Sequence, residues 1–237
     1  MSESLLNVQG VQTYYGASQI LFGVDLTIRE REVMGLLGRN GMGKTTLIRS
    51  ILGLTQAKVG RIEFAGHDIM GMKPYTIAQR GLAVVPEGRQ IFPNLTVDEN
   101  LRSFEDNRSQ SADPWVTESV YELFPRLKER RQNLGNQLSG GEQQMLAIGR
   151  ALVVNPKLMI LDEATEGLAP LIRQEIWSCL THIKQQGMAL IVVDKYVQKI
   201  VEIADHVVIM EKGQIAWRGT SRVLGENRDL WHRYLGA

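Results

Sequence analysis

Short apolar runs alternate with longer amphipathic stretches along the chain, and two kinds of strand can be told apart. Leu6-Asn7-Val8-Gln9, Val11-Gln12-Thr13-Tyr14-Tyr15 and Val24-Asp25-Leu26-Thr27-Ile28 alternate apolar and polar positions, as half-buried strands do. They predict an antiparallel β-layer, joined by Gly60-Arg61-Ile62-Glu63-Phe64 with Gly66-His67-Asp68 as its turn. The second kind is apolar throughout: Val33-Met34-Gly35-Leu36-Leu37, Leu82-Ala83-Val84-Val85, Leu158-Met159-Ile160-Leu161, Ala189-Leu190-Ile191-Val192-Val193 and Val207-Val208-Ile209-Met210. Such runs, separated by helical stretches, predict an α/β fold with a parallel sheet covered by helices on both faces. Between about Glu87 and Gln137 the strand patterns vanish, and a charged segment with helical periodicity carries Pro93, Pro114 and Pro125. It reads as an inserted helical lobe, with Phe92, Leu95, Leu101, Phe104, Leu123, Phe124 and Leu127 as a small core of its own.

Composition narrows the partners. The 237 residues suffice for one large domain, or a domain with an inserted lobe. With 27 Lys and Arg against 26 Asp and Glu, the net charge of +1 offers no general case for nucleic acid, and no nucleic-acid partner is expected. The mixed run Arg126-Leu127-Lys128-Glu129-Arg130-Arg131 reads as a solvated helix face. The single cysteine, Cys179, cannot close an internal disulfide and permits a reducing compartment. His67, His182, His206 and His232 lack metal-ligand spacing. No run approaches the ~20 apolar residues of a membrane span, and Met1-Ser2-Glu3-Ser4 has no leader pattern. A membrane span in a working assembly is therefore expected from other chains.

The chemistry centres on Gly38-Arg39-Asn40-Gly41-Met42-Gly43-Lys44-Thr45-Thr46, between a strand-like run and the helix-like Leu47-Ile48-Arg49-Ser50-Ile51-Leu52. The spacing G-x-x-x-x-G-K-T in that context predicts a phosphate-binding P-loop. Gly38, Gly41 and Gly43 let the backbone turn tightly, so that successive N–H groups and the helix start face a polyphosphate. Lys44 would reach the β- and γ-phosphates, and the Thr45 hydroxyl would bind Mg²⁺. Downstream, the apolar strand Leu158-Met159-Ile160-Leu161 ends in Asp162-Glu163. Asp162 is placed to hold Mg²⁺ directly or through water, and Glu163 to orient and deprotonate an attacking water. A third motif, Leu138-Ser139-Gly140-Gly141-Glu142-Gln143-Gln144, opens a helical run with a capping-box pattern and offers a second anion site.

Together, GRNGMGKTT, LSGGEQQ and LMILDE, in that order, resemble the motifs of the ABC-type ATPases, and the resemblance extends over nearly the whole chain. It implies a P-loop NTPase fold of the RecA-like kind and one ABC ATPase domain over 1–237. Residues 1–86 and 141–237 would form the nucleotide-binding core with its β-subdomain, and 87–140 the helical signature subdomain. ATP and Mg²⁺ would be the cofactors. In this family Tyr15 matches the aromatic that stacks on adenine, and Glu87 stands where a glutamine senses Mg²⁺. Lys195 occupies the position where a histidine or glutamine contacts the γ-phosphate; there it would pair with that phosphate, or with Glu163, making a slow or partner-dependent site. Ser139, Gly140, Gly141, Glu142 and Gln143 would close over ATP held by a second ABC ATPase chain, identical or related. Ala169 stands where the inter-subunit loop often carries an aspartate.

Val85-Pro86-Glu87-Gly88-Arg89, Ile91-Phe92-Pro93-Asn94-Leu95-Thr96-Val97 and Glu166-Gly167-Leu168-Ala169-Pro170 resemble the ATP-binding subunits of branched-chain and hydrophobic amino-acid importers and their urea and amide relatives. That implies integral membrane permease partners, an external solute-binding protein acting indirectly, and a cytoplasmic place on the inner face of the membrane. A soluble ABC ATPase outside transport remains an alternative, although it usually carries two cassettes or a long coiled-coil insertion. A P-loop kinase is a further one, but it would not need LSGGEQQ.

Overall fold

The computed structural model describes residues 4–235. Strands β1 (Ser4–Tyr15), β2 (Ser18–Arg29), β4 (Ala57–Phe64) and β5 (His67–Asp68) form an antiparallel sheet in the order β2-β1-β4-β5. His67 and Asp68 therefore belong to a strand, paired with Phe64 and Glu63, and the expected turn is displaced. Ala65 and Gly66 make it, at φ +49° and +75°, because a tight two-residue hairpin needs both central residues left-handed.

The second sheet holds β3 (Val33–Leu37), β6 (Leu82–Val85), β7 (Leu158–Asp162), β8 (Ala189–Val193), β9 (His206–Glu211) and β10 (Gln214–Thr220), in the order β10-β9-β3-β8-β7-β6. All neighbours are parallel except β10, which returns antiparallel to β9 at one edge. Every residue of β3, β7 and β8 is buried, as apolar runs covered on both faces should be.

Side-chain alternation divides the interior in two. Met34, Leu36, Ile160, Ile191 and Val208 point to a core shared with Leu6, Val11, Leu21 and Ile62 of the antiparallel sheet. Helices α1 (Lys44–Ile51) and α2 (Pro74–Gln79) close that side through Leu47, Ile51 and Ile77. Val33, Leu37, Met159, Leu161, Leu190 and Val192 point the other way, to a core built with helices. These are α3 (Val97–Arg102), α4 (Thr117–Leu123), α5 (Pro125–Glu129), α6 (Gly140–Leu152), α7 (Pro170–Gln185), α8 (Val197–Ile203), α9 (Ser221–Glu226) and α10 (Arg228–Leu235). The expectation of helices on both faces thus needs correction: one face is covered largely by the antiparallel sheet. Its alternating strands have an apolar side to bury, and the parallel sheet supplies the matching surface.

The segment from Glu87 to Gln137 is helical as expected, but it has no separate core. Leu101, Phe124 and Leu127 are buried against Met145, Ile148 and Leu152 of α6, and this packing continues to the parallel sheet. Leu95, Phe104 and Leu123 are half-buried. Phe92 is 44% exposed; it stacks on Phe104 at 5.8 Å, and the Arg150 guanidinium lies 4.5 Å over its ring. An aromatic face holding a cation need not be buried to be partnered.

Candidate functional site

In a parallel sheet all carboxyl ends meet at one edge, where ligands of open α/β sheets bind. Here that edge gathers the turn after β3, Glu87 after β6, Asp162 and Glu163 at the end of β7, and Lys195 after β8. Residues far apart in the chain are brought together by strand order β3-β8-β7-β6.

The turn from Gly38 to Gly43 runs directly into α1. Gly38, Gly41 and Gly43 adopt φ of +144°, +79° and +101°, values closed to most side chains. A Cβ on Gly38 would also lie 2.5 Å from the Met210 carbonyl oxygen. Arg39, Asn40 and Gly41 are exposed, whereas Met42 packs against the second core and its sulfur accepts from the Lys212 N–H. Lys44 is buried, and its Nζ donates to the carbonyls of Gly38 at 2.7 Å and Arg39 at 3.1 Å. Burial lowers its pKa, opposed by Glu163 and Asp162. Thr45 is exposed at the helix start, and Thr46 is buried. Tyr15, at the end of β1, leaves its ring 47% exposed with its hydroxyl 3.4 Å from Thr55, a contact that lowers its pKa.

Asp162 is 5% exposed, and its Oδ1 has no hydrogen-bond partner among the described residues. Burial first, then the charge of Glu87, pushes its pKa up to about 6, against the pull of Lys44. An orphaned, buried carboxylate oxygen beside a phosphate-type loop fits a hard divalent cation or the water it carries. Thr45 and Glu87 are the other oxygen donors expected there, and the chemistry of this donor set suits Mg²⁺.

Glu163 has φ +53°, an uncommon conformation for a non-glycine residue. Its N–H is fixed by the Val193 carbonyl at 2.9 Å. One further acid, not anticipated from the motifs, enters here. Glu87, Glu163 and Glu166 present carboxylate oxygens that all lie within 4.8 Å of one another. The neighbouring Glu166 carboxyl, then burial, holds the pKa of Glu163 up to about 7, while that of Glu166 is lowered by the proximity of Glu163 and by Lys195. Lys195 does not contact Glu163, which corrects one of its two expected pairings. It donates to Glu166 Oε1 at 2.9 Å instead, because it is on the exposed side of the β8 loop, with its side chain 60% open to solvent. Behind that pair, Thr165 donates to buried Asp194 at 2.5 Å. Only the positions of Glu166 next to the paired acids and of Asp194 beside Lys195 hinted at these contacts.

Ser139, Gly140, Gly141, Glu142 and Gln143 stand on another element, the start of α6. The capping box is formed: Ser139 Oγ accepts from the Glu142 N–H at 3.3 Å, and Glu142 Oε2 accepts from the Ser139 N–H at 2.7 Å. Gln143 donates to the carbonyls of Gly135 and Leu138 and accepts from Arg89 at 3.4 Å. Arg89 thus joins the Glu87 loop to this helix start. Its guanidinium lies so near Gly140 that a Cβ there would come within 2.8 Å.

Comparison with known proteins agrees with this arrangement. Residues 21–166 match the family model described as ABC transporter. The chain is 40% identical over 236 residues to the high-affinity branched-chain amino acid transport ATP-binding protein BraG of Pseudomonas aeruginosa, covering 98% of this chain and 100% of that protein. It is 32% identical over 235 residues to the lipopolysaccharide export system ATP-binding protein LptB of Haemophilus influenzae, covering 98% of each. A solved ATP-binding cassette of an ABC transporter in its ADP conformation superposes with a TM-score of 0.82 at 25% identity, over 100% of both chains. The chain belongs to the ABC transporter family, whose ATP-binding proteins are ATPases that power transport.

Proposed function

We propose that this chain is the ATP-hydrolysing subunit of an importer for branched-chain or other hydrophobic amino acids. The observation that carries the hydrolytic reading is the meeting, at one sheet edge, of the left-handed glycine turn, buried Lys44 and the orphaned Asp162 oxygen. The importer reading is supported by the 40% identity to BraG, which exceeds the 32% to the export protein LptB. A urea or amide importer is the alternative cargo within the same architecture.

In this reading, the backbone from Gly38 to Thr46 and Lys44 hold the phosphates, and Tyr15 faces the adenine. Mg²⁺, held by Thr45, Asp162 and Glu87, would supply charge neutralisation at the phosphates. Glu163 orients and deprotonates the attacking water. Lys195 meets the γ-phosphate as a fixed cation; it has three donors and no acceptor, so it stabilises phosphate without helping to position water. The site is accordingly slow in the isolated chain.

Residues 87–140 are proposed as the helical signature subdomain, and 1–86 with 141–237 as the core and β-subdomain. Ser139 to Gln143 close over ATP on a second ABC ATPase chain. Closing and reopening of that pair would move integral permease subunits, with the chain peripheral on the cytoplasmic face and a solute-binding protein acting only through the permease.

Nucleotide titration and steady-state hydrolysis test the site. Lys44→Ala should abolish measurable ATP binding, whereas Glu163→Gln should keep binding and lose at least ~10²-fold in turnover. Near-normal turnover in Glu163→Gln would remove the base assignment. Co-purification with a permease, followed by uptake of branched-chain amino acids or urea in vesicles, tests the transport reading and its cargo.

A further inference from the structure

The first turn of α7 touches three parts of the site that the sequence keeps apart. Toward the start of α6, Ile172 packs so closely on Gly141 that a Cβ there would lie 2.7 Å from the isoleucine Cγ2. Toward the loop after β7, Arg173 Nη2 donates to the Leu168 carbonyl at 3.0 Å, and the Leu168 side chain is buried in the core built with helices. Toward the loop after β8, the same guanidinium lies over the Tyr196 ring, 4.1 Å from its centroid. The Tyr196 N–H is in turn fixed by buried Asp194, which also accepts from the Thr165 hydroxyl.

Only a planar cation can lay its face on an aromatic ring while an edge N–H reaches a carbonyl; a lysine, a point charge on a flexible stem, serves one or the other. The Arg173 Nε–H is buried and has no hydrogen-bond partner among the described residues, a cost that the ring and the Leu168 carbonyl offset. Leu168 closes the short loop that begins at Glu163. One end of that loop is anchored by the Glu163 N–H on the Val193 carbonyl, and the other by Arg173. We propose that Arg173 is a positioning residue that links the start of α6 to Glu163: it holds the loop from Glu163 to Leu168 and the loop after β8 in register with α7, whose Ile172 rests on Gly141. The inference rests on reading Ser139 to Gln143 as the surface that closes over ATP on a second chain. A displacement of α6 on closure is then carried by α7 to the loop that bears the acid of the same chain. Pairing of the chains is thereby coupled to hydrolysis.

The link predicts that closure and hydrolysis can be separated, which damage to the fold does not imitate. In steady-state assays on the purified full chain, Arg173→Leu should lower kcat on the order of tenfold to hundredfold, the cost of a slightly misplaced reacting group, with the KM for ATP within about twofold. In a Glu163→Gln background the same change should leave ATP-dependent dimerisation as it is in the parent, read by size-exclusion chromatography. Tyr196→Phe keeps the ring and should stay near the wild-type kcat, whereas Tyr196→Leu should lose about fivefold. The double variant of Arg173→Leu and Tyr196→Leu should lose less than the product of the two single losses, since both break one contact. Arg173→Lys, which keeps a cation for the ring, should recover part of the rate. An unchanged kcat in Arg173→Leu overturns the proposal. So does a loss of dimerisation alongside that of kcat, which would make the arginine a brace of the fold. If Arg173→Leu does not fold, Tyr196→Leu against Tyr196→Phe carries the test, and equal rates in those two overturn it. The Glu163→Gln parent separates two failures. A parent that does not dimerise with ATP defeats the two-chain reading and the link with it, whereas a dimerising parent with a normal kcat in Arg173→Leu defeats only the link.

Discussion

The turn after β3 and the loops after β7 and β8 share one edge of the parallel sheet, yet they are held by different bonds. The first is backbone work: three glycines at positive φ, with Lys44 closing on the carbonyls of Gly38 and Arg39. The second is largely side-chain work: Thr165 on Asp194 and Lys195 on Glu166. A backbone cradle has one conformation to offer and suits a ligand group that never changes. Side-chain contacts between loops can open one at a time, which suits a step that must be switched.

That contrast can be broken in order of expected effect. Gly38→Ala should be the most damaging, since a Cβ there meets the Met210 carbonyl oxygen at 2.5 Å and the left-handed φ adds strain. A loss of ATP affinity on the order of tenfold to hundredfold is expected in nucleotide titration, by the usual cost of a strained residue. Wild-type affinity would mean that the cradle is more compliant than its geometry implies. Thr165→Val comes next, since it keeps the shape but takes a hydrogen bond from Asp194, which is only 7% exposed. Chemical denaturation should register a loss of about 1–3 kcal/mol. The smallest effect on stability belongs to Lys195→Gln. Its pair with Glu166 is solvent-open, with side chains 60% and 46% exposed, so stability should change by less than ~1 kcal/mol in the same denaturation series. A large loss there would make the pair a structural brace.

A fourth test sharpens the comparison at the start of α6, where the capping box of Ser139 and Glu142 is another backbone-directed device. Ser139→Arg should leave ATP binding by the isolated chain nearly intact and block ATP-dependent dimerisation in a Glu163→Gln background, read by size-exclusion chromatography. A Ser139→Arg protein that still dimerises would remove the proposed role of the signature across subunits.

How much of this was legible follows from the range of the interactions. Glycine at 38, 41 and 43, and a serine followed three residues later by glutamate at 139 and 142, report local backbone requirements. Lys195 illustrates the opposite case. Its partner lies 29 residues away on another loop, and nothing in either segment distinguishes Glu166 from Glu163 as the acid it meets. Phe92 has the apolar character of a core residue, yet it stays at the surface, where its ring is satisfied against the Arg150 guanidinium.

Period and motif were enough to establish the kinds of strand, the P-loop, the paired acids Asp162 and Glu163 and the helix start at Ser139, because each depends on neighbours within a turn or a strand length. Strand order, the antiparallel sheet covering one face, the union of the lobe's apolar residues with the main core, the pairing of Glu166 with Lys195 and the crowding of Glu87, Glu163 and Glu166 came only with the folded chain. Apolar residues specify burial without naming a partner, and exposed charges pair with whichever opposite charge the neighbouring loop brings within reach.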